Sequence, residues 1–399
     1  MPGLILIAGS LAQRPGQGGH TWVFLQYLLG FRKLGYDVIF VDWLAPAMCQ
    51  DDHGNPCAWL DSRNVASFRQ VFERFGLADS FSLTNTATGE TLGIPRRRLL
   101  ERARSADFLL NIMGFLQDPE ILAAVPRRVF LDIDPGFGQM WHELGLHDLF
   151  AGHDAFVTVG LNVGQPDCTV PTCGLPWIAT PQPVVLDLWP ASPPPPGPFT
   201  SVASWRGLFG PIDYRGQTYG LRVHEFRKFM TLPARTGQPF HLALDIHPSE
   251  TKDLAALAQN HWQLIDPQRA AGDPWLYQTF IRDSLAEFTV AKNMYVQTRS
   301  GWFSDRSICY LATGRPVLAQ ETGFSAHLPS GRGLLCFSTM DEAIAGVEQI
   351  AANPLAHGRA ARALAEEYFA SSRVLARLVD RLAATPTRAA PQTAGGPRP

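Results

Sequence analysis

Residues 300–324, SGWFSDRSICYLATGRPVLAQETGF, crowd polar groups around a short apolar run. Ser304, Asp305 and Arg306 stand where a helix of about two turns would begin, and Gln320, Glu321 and Thr322 stand just past a short strand. Ser304 suits an N-cap, since its hydroxyl can accept from a backbone N–H one turn on. The helix start behind it offers unpaired N–H groups and a partial positive charge to an anion. Arg306 in the first turn adds a charge-assisted bond to phosphate. Asp305 repels phosphate, so it suits ribose hydroxyls or the cap. An acid and an amide at the strand end supply the acceptors and donors that a sugar's hydroxyls need. A capped helix and a polar turn explain each residue singly; the combination points to a site.

A second stretch, GSLAQRPGQGGHTW, follows an apolar strand. Gly16, Gly18 and Gly19 read as a flexible segment that delivers His20 to the start of a helix, at the sheet edge where open α/β folds bind ligands. An imidazole there can serve as general base; a surface histidine beside a Thr21 cap is the plainer alternative. The glycines read G-x-G-G in a loop too long for the dinucleotide fingerprint. That weighs against an NAD-dependent oxidoreductase, although Asp42 closes the second strand.

In FLDIDPGFGQMWH, Asp132 and Asp134 alternate at the end of a strand. Alternate strand residues face opposite ways, so the two share a cation only if the chain turns at Pro135-Gly136. Lining the acceptor side of a cleft, and plain turn chemistry, are the other readings. Lys292 and Arg299 can reach for a diphosphate or stay solvated. Trp205 can stack on a base or sugar, or fill a core.

These groups need a scaffold, and 399 residues exceed what one core normally supports. The first 45 residues alternate strand, helix and strand with uninterrupted apolar strands, the pattern of a parallel sheet covered on both faces. ADFLLNIMG, RRVFLDID and DAFVTVG continue it as strands. PASPPPPGPF then favours an extended spacer. A second series follows, with TSVASW, FHLALDI, HWQLIDP, MYVQTR, RPVLAQ and GLLCF as strands. The chain is expected to divide into 1–190, a linker at 191–199, a second α/β domain at 200–354, a helix at 355–383 and a disordered tail at 384–399.

The formal net charge of −2 provides no basic field for nucleic acid or anionic membrane. LILIAGSLA is too short to span a bilayer and lacks preceding basic residues, so a cytoplasmic protein without an integral membrane segment is expected. The six cysteines form no C-x2-C pair. Free thiols are favoured over a Cys168–Cys173 loop disulfide, and no bound metal is expected.

On SGWFSDRSICYLATGRPVLAQETGF, the glycine loop ending in His20 and the two α/β halves, the chain resembles nucleotide-sugar glycosyltransferases of the GT-B fold. The likeness spans about residues 1 to 380 and is strongest where ATGRPV matches the family's small-x-Gly-x-Pro-Val turn. It implies two Rossmann-like doubly wound domains facing a central cleft, with the acceptor on the first, the donor on the second and the last helix crossing back. By the resemblance, Ser304, Asp305 and Arg306 belong to the donor phosphate and ribose region. Gln320 and Glu321, with Thr322 beside them, hold the donor sugar; Gly18 and Gly19 face the diphosphate, and His20 is the base of an inverting member. No cofactor is implied beyond the nucleoside-diphosphate sugar itself, and the acceptor is a small molecule or glycan. Natural-product aglycones fit the Trp- and Phe-rich first half. Where many relatives carry a ribose-holding Glu, this chain has Cys309; either Asp305, one turn earlier, takes that part or donor binding differs. A sugar-nucleotide epimerase or hydrolase and a non-catalytic nucleotide-binding protein are the alternatives.

Overall fold

The computed structural model describes residues 3–207 and 209–385. The first domain is an eight-stranded sheet: β1 (Leu4–Ala8), β2 (Asp37–Leu44), β3 (Phe81–Asn85), β4 (Thr91–Gly93), β5 (Phe108–Ile112), β6 (Arg128–Asp132), β7 (Ala155–Thr158) and β8 (Trp177–Ala179). Their order is β4-β3-β2-β1-β5-β6-β7-β8, parallel except for the β3–β4 pair. β1 shows why its five residues are all apolar. Ile5 and Ile7 join one core with Phe24 and Phe31, while Leu4, Leu6 and Ala8 join another with Leu99 and Ile121. A parallel strand buried on both faces has no polar side to show.

The second sheet contains β9 (Phe199–Ser204), β12 (Phe240–Asp245), β13 (Trp262–Ile265), β14 (Ala286–Thr289), β15 (Val317–Gln320) and β16 (Leu334–Phe337); a separate hairpin, β10 (Ile212–Tyr214) and β11 (Gln217–Tyr219), interrupts it. The sheet order is β13-β12-β9-β14-β15-β16, parallel throughout. Renumbered within the domain this is 3-2-1-4-5-6, the doubly wound order. The helices that matter below are α1 (Gly18–Lys33), α2 (Phe137–Glu143), α3 (Arg222–Phe226), α4 (Pro267–Ala271), α5 (Pro274–Arg282), α6 (Asp305–Ala312) and α7 (Ser371–Ala384).

Several segments depart from expectation. MYVQTR is not a strand: Asn293–Thr298 is helical, with Met294, Tyr295 and Thr298 buried at helical spacing, and the strand precedes it as AEFT. α1 starts at Gly18 rather than near Thr21, so Thr21 is a buried interior residue and caps nothing. The expected helix over 355–383 is two helices, Pro354–Leu364 and α7, joined by a π-helical turn at Ala365–Phe369 and one extended residue, Ala370. The break has a cause: Ala370 pairs with Val184 of the first domain. Beyond it α7 packs on α1, where Leu375 and Ser371 fill the space that a side chain at Gly30 would need.

The proline-rich segment is tied down as well. The buried Arg315 donates to the Ser192 carbonyl at 2.6 Å and to its hydroxyl at 2.9 Å, and Pro194 packs on Gly358. The disordered tail expected at 384–399 lies, from residue 386, outside the described residues. Among the described residues no helix is long and apolar enough to cross a membrane.

Candidate functional site

A cavity of about 580 Å³ is lined by residues of both domains, at the carboxyl ends of their strands. The first domain contributes Arg14, Gly19 and His20 from beyond β1 and Asp134 from beyond β6; the second contributes the end of β9, Asp245 of β12, Gln268, Tyr277, Lys292, Asp305, Arg306 and Arg222. Its lining holds more basic than acidic side chains. Ser304 caps α6, its hydroxyl accepting from the Arg306 N–H at 3.2 Å, and α6 opens on the cavity through Asp305 and Arg306.

Arg306 is largely committed inside its own domain. Its Nε donates to Glu287, one Nη to the Val202 carbonyl at 2.8 Å and the other to Thr289. Glu287 is fully buried, and burial raises its carboxyl above the usual range while the adjacent Arg306 guanidinium opposes the rise. Arg222 is different. Its Nε is shielded from solvent and has no hydrogen-bond partner among the described residues. Burial, with the nearby charge of Arg306, pulls its pKa down to about 10. A desolvated guanidinium with an idle donor beside a second arginine is a position that an anion would stabilise. Asp305 shares this neighbourhood, and burial raises its carboxyl while Arg306 opposes the rise.

His20 sits in the first turn of α1, its Nε2 3.2 Å from the Ser10 carbonyl and 3.2 Å from the Ser10 hydroxyl. A carbonyl only accepts, so Nε2 carries the hydrogen and Nδ1 keeps the lone pair. Burial and the charge of Arg14 bring the pKa down to about 4, and the ring packs edge-on against Phe24. The imidazole is therefore neutral and fixed in one tautomer. Gly18 and Gly19 have a packing reason for being glycine. A Cβ at Gly18 would stand 2.1 Å from the Asp273 carbonyl oxygen, and one at Gly19 would stand 3.1 Å from the Tyr277 ring. The start of α1 is wedged against α4 and α5, where the sequence suggested a flexible loop.

Asp134 and Lys292 meet across the cleft, Nζ lying 2.8 and 2.6 Å from the two carboxylate oxygens, with the Tyr295 hydroxyl also on Asp134. Both side chains are mostly buried and both line the cavity. Asp132 does not join them. It is buried, accepts from Gln139 and Thr158 at 2.8 Å each, and is pushed up to about 6 by burial against those bonds. The D-x-D pair thus faces two different surroundings, as strand alternation requires.

Other sequence-selected residues lie away from this wall. Arg299 ends its helix in the left-handed region at φ 51° and pairs on the surface with Asp167 at 3.2 Å. Trp205 is core: its indole donates to Asp253 at 2.9 Å and packs on Phe226. Gln320 is buried between Glu225 and the Ala291 N–H, at 2.6 and 3.1 Å. Thr322 donates to the Trp302 carbonyl at 2.6 Å, and Glu321 accepts from the Gly323 N–H.

The side chains of all three are engaged inside the second domain, and next to them the first domain inserts a plug. Asn162 donates to the carbonyls of Arg299 (2.9 Å) and Gly323 (3.1 Å) and meets His327 at 2.6 Å. A side chain at Gly323, φ 96°, would overlap the Asn162 amide. Cys309 is likewise off the cavity, its thiol 3.3 Å from the Asp305 carbonyl and 3.8 Å from Gln26. Arg14, Arg222, Tyr277 and Asp245 escaped the sequence reading. None sits in a recognisable spacing, although Arg222, like Arg306, opens a helix.

No family model matches the chain, and no curated protein matches it. Solved structures do. HepE of Anabaena, in complex with UDP-glucose, superposes with a TM-score of 0.57 over 96% of this chain and 100% of its own, at 11% identity. An alpha-glucosyltransferase in complex with UDP and a 13-mer DNA gives 0.59 over the same shares, at 11% identity. A glycosyltransferase from Rickettsia africae gives 0.55 over 95% and 97%, at 12% identity. With nearly the full length superposing on them, the chain has the two-domain GT-B fold of these glycosyltransferases.

Proposed function

We propose that the protein is a metal-independent glycosyltransferase that moves a sugar from a nucleoside-diphosphate sugar to a hydroxyl or amine of a small-molecule or glycan acceptor. The observation that carries the reading is Arg222: its shielded Nε has no hydrogen-bond partner among the described residues, and it stands beside Arg306 and the α6 start in the cleft between two doubly wound domains. A diphosphate supplies the missing charge and acceptors. Lys292, paired with Asp134, adds a further cation at the same wall.

In the inverting reaction, His20 Nδ1 takes the proton from the acceptor hydroxyl as that oxygen bonds to the anomeric carbon. The anomeric carbon–oxygen bond breaks, and its electron pair passes to the nucleoside diphosphate. Arg222, Arg306 and the α6 backbone amides stabilise that growing negative charge, a task for which fixed cations suffice. A base near pKa 4 is available over the whole neutral range but weak. The incoming diphosphate offsets Arg14 and strengthens it.

An apolar acceptor body, of the natural-product aglycone kind, has a place in a second cavity of about 450 Å³ at the same edge of the first sheet, walled by Val41, Trp43, Phe115 and Leu116. All six thiols are free, which supports a reducing, cytoplasmic setting.

The test is Arg222→Met with titration calorimetry. Nucleoside-diphosphate affinity is expected to fall roughly 10- to 100-fold, the size of a hydrogen bond to a charged group. The ligand-free variant should melt no lower than the parent, since a desolvated unpaired charge has gone. Unchanged nucleotide affinity would remove the reading. Incubating donor alone and finding an epimer or free sugar, with no transfer to any acceptor, would replace it by an epimerase or hydrolase.

A further inference from the structure

The cavity wall presents three carboxylates, Asp134, Asp245 and Asp305. Asp134 is spent on Lys292 and Tyr295. Asp305 opens α6 in the arginine neighbourhood, next to Arg306 and within the field of Arg222. That is the place for phosphate, where a second carboxylate only balances charge. Asp245 stands apart: it is the last residue of β12, and its side chain is exposed toward the cavity.

Topology gives that position a meaning. In a sheet of order 3-2-1-4-5-6 the ligand crosses the switch point between strands 1 and 4, and an acid closing strand 2 accepts from a ribose hydroxyl. Here strands 1 and 4 are β9 and β14, and strand 2 is β12. Cys309 stands where the likeness puts a ribose-holding acid; a thiol cannot take that part, and it is 2% exposed and off the cavity. The ribose-binding carboxylate is therefore to be sought elsewhere, and the domain's own winding supplies one.

We propose that Asp245 reads the ribose of the donor, its carboxylate accepting from the 2′- and 3′-hydroxyls, so that the site selects ribonucleotides over their 2′-deoxy forms. The inference rests on the nucleotide-sugar reading above. It has a consequence for substrate class: the donor is a ribonucleoside-diphosphate sugar, and thymidine-diphosphate sugars, which lack the 2′-hydroxyl, are disfavoured.

The experiment compares calorimetric affinities of UDP, GDP, ADP and CDP with their 2′-deoxy counterparts, for the parent, Asp245→Ala and Asp305→Asn. Asp245 is exposed, so its truncation leaves the fold intact, and melting curves verify this. The parent is expected to prefer the ribo form of its best nucleotide by roughly 10-fold or more, the size of a bond to a charged acceptor. Asp245→Ala should bring that ratio near one, with ribonucleotide affinity falling by more than deoxynucleotide affinity, which loses only the bond from the 3′-hydroxyl. The proposal is overturned if the ratio survives Asp245→Ala, if it collapses in Asp305→Asn instead, or if Asp245→Ala changes the choice among bases and not between sugars. Failure of all eight nucleotides to bind the parent would overturn the nucleotide-sugar reading itself, and this inference with it.

Discussion

At the scale of single residues, the cleft is a set of charges whose partners differ. Arg306 has its charge matched by Glu287, Lys292 has Asp134, and Arg222 has an idle Nε. Mutations at these positions should therefore act in different ways. Arg222→Met should cost nucleotide affinity with no loss of stability. Arg306→Met should cost stability by several kcal/mol, because it strands a fully buried Glu287 carboxylate; chemical denaturation reads the difference. His20→Ala should lower kcat by roughly 100- to 10,000-fold, the usual worth of a general base, while leaving nucleotide affinity nearly intact; unchanged turnover would remove His20 as base.

The pH dependence of stability has a definite sign at His20. The unfolded chain takes up a proton near 6.5 and the folded site only at about 4. This contribution to stability is present above pH 6.5 and is lost as pH falls through that window toward 4. His20→Gln should flatten the part of the melting-temperature decline that lies between those values.

At the scale of elements, glycines mark where the two domains touch. Gly18 lets α1 start against the carbonyls of Ala271 and Asp273, and Gly30 lets α7 lie on α1. Gly18→Ala must push α1 off α4 and α5, at a cost of about 1–3 kcal/mol, and should lower turnover by shifting His20, two residues on. Leu375→Ala, at a fully buried contact of α7, should cost about 2–5 kcal/mol in denaturant titration. The glycines of TGF and SGW answer to the same rule, since Gly323 and Gly301 admit the Asn162 plug. A segment whose polar residues read as a sugar grip is instead where the first domain inserts.

For the whole molecule, the cleft is bridged by Lys292–Asp134, by the Trp22 indole on the Pro274 carbonyl at 2.9 Å, by Asn162, and by Tyr214 on Glu143. Substrate entry has to work around these bridges, and α7 and the Val184–Ala370 pairing tie the chain's end to its beginning. Calorimetry should accordingly show one cooperative transition rather than two. A double-mutant cycle on Asp134→Asn and Lys292→Met should give a coupling energy of about 0.5–3 kcal/mol, the range for residues in direct contact; additivity would show that the pair does not hold the domains.

The sequence by itself determined a doubly wound first sheet and a second α/β domain, the position of β1, the Ser304 cap and the placement of His20, Asp305 and Arg306 at helix starts. All of these follow from local signals: uninterrupted apolar strands, a capping residue, a glycine stop. It misread MYVQTR, because an aromatic and β-branched run satisfies strand and helix alike until burial chooses. Only the tertiary structure decided which polar residues share one wall. Arg222, Asp245 and Tyr277 are drawn together from three elements, while Gln320 is held by Glu225, 95 residues away along the chain, and Thr322 by the Trp302 carbonyl. A helix cap depends on neighbours in sequence, but the partner of a cleft residue belongs to another domain, and no spacing along the chain encodes it.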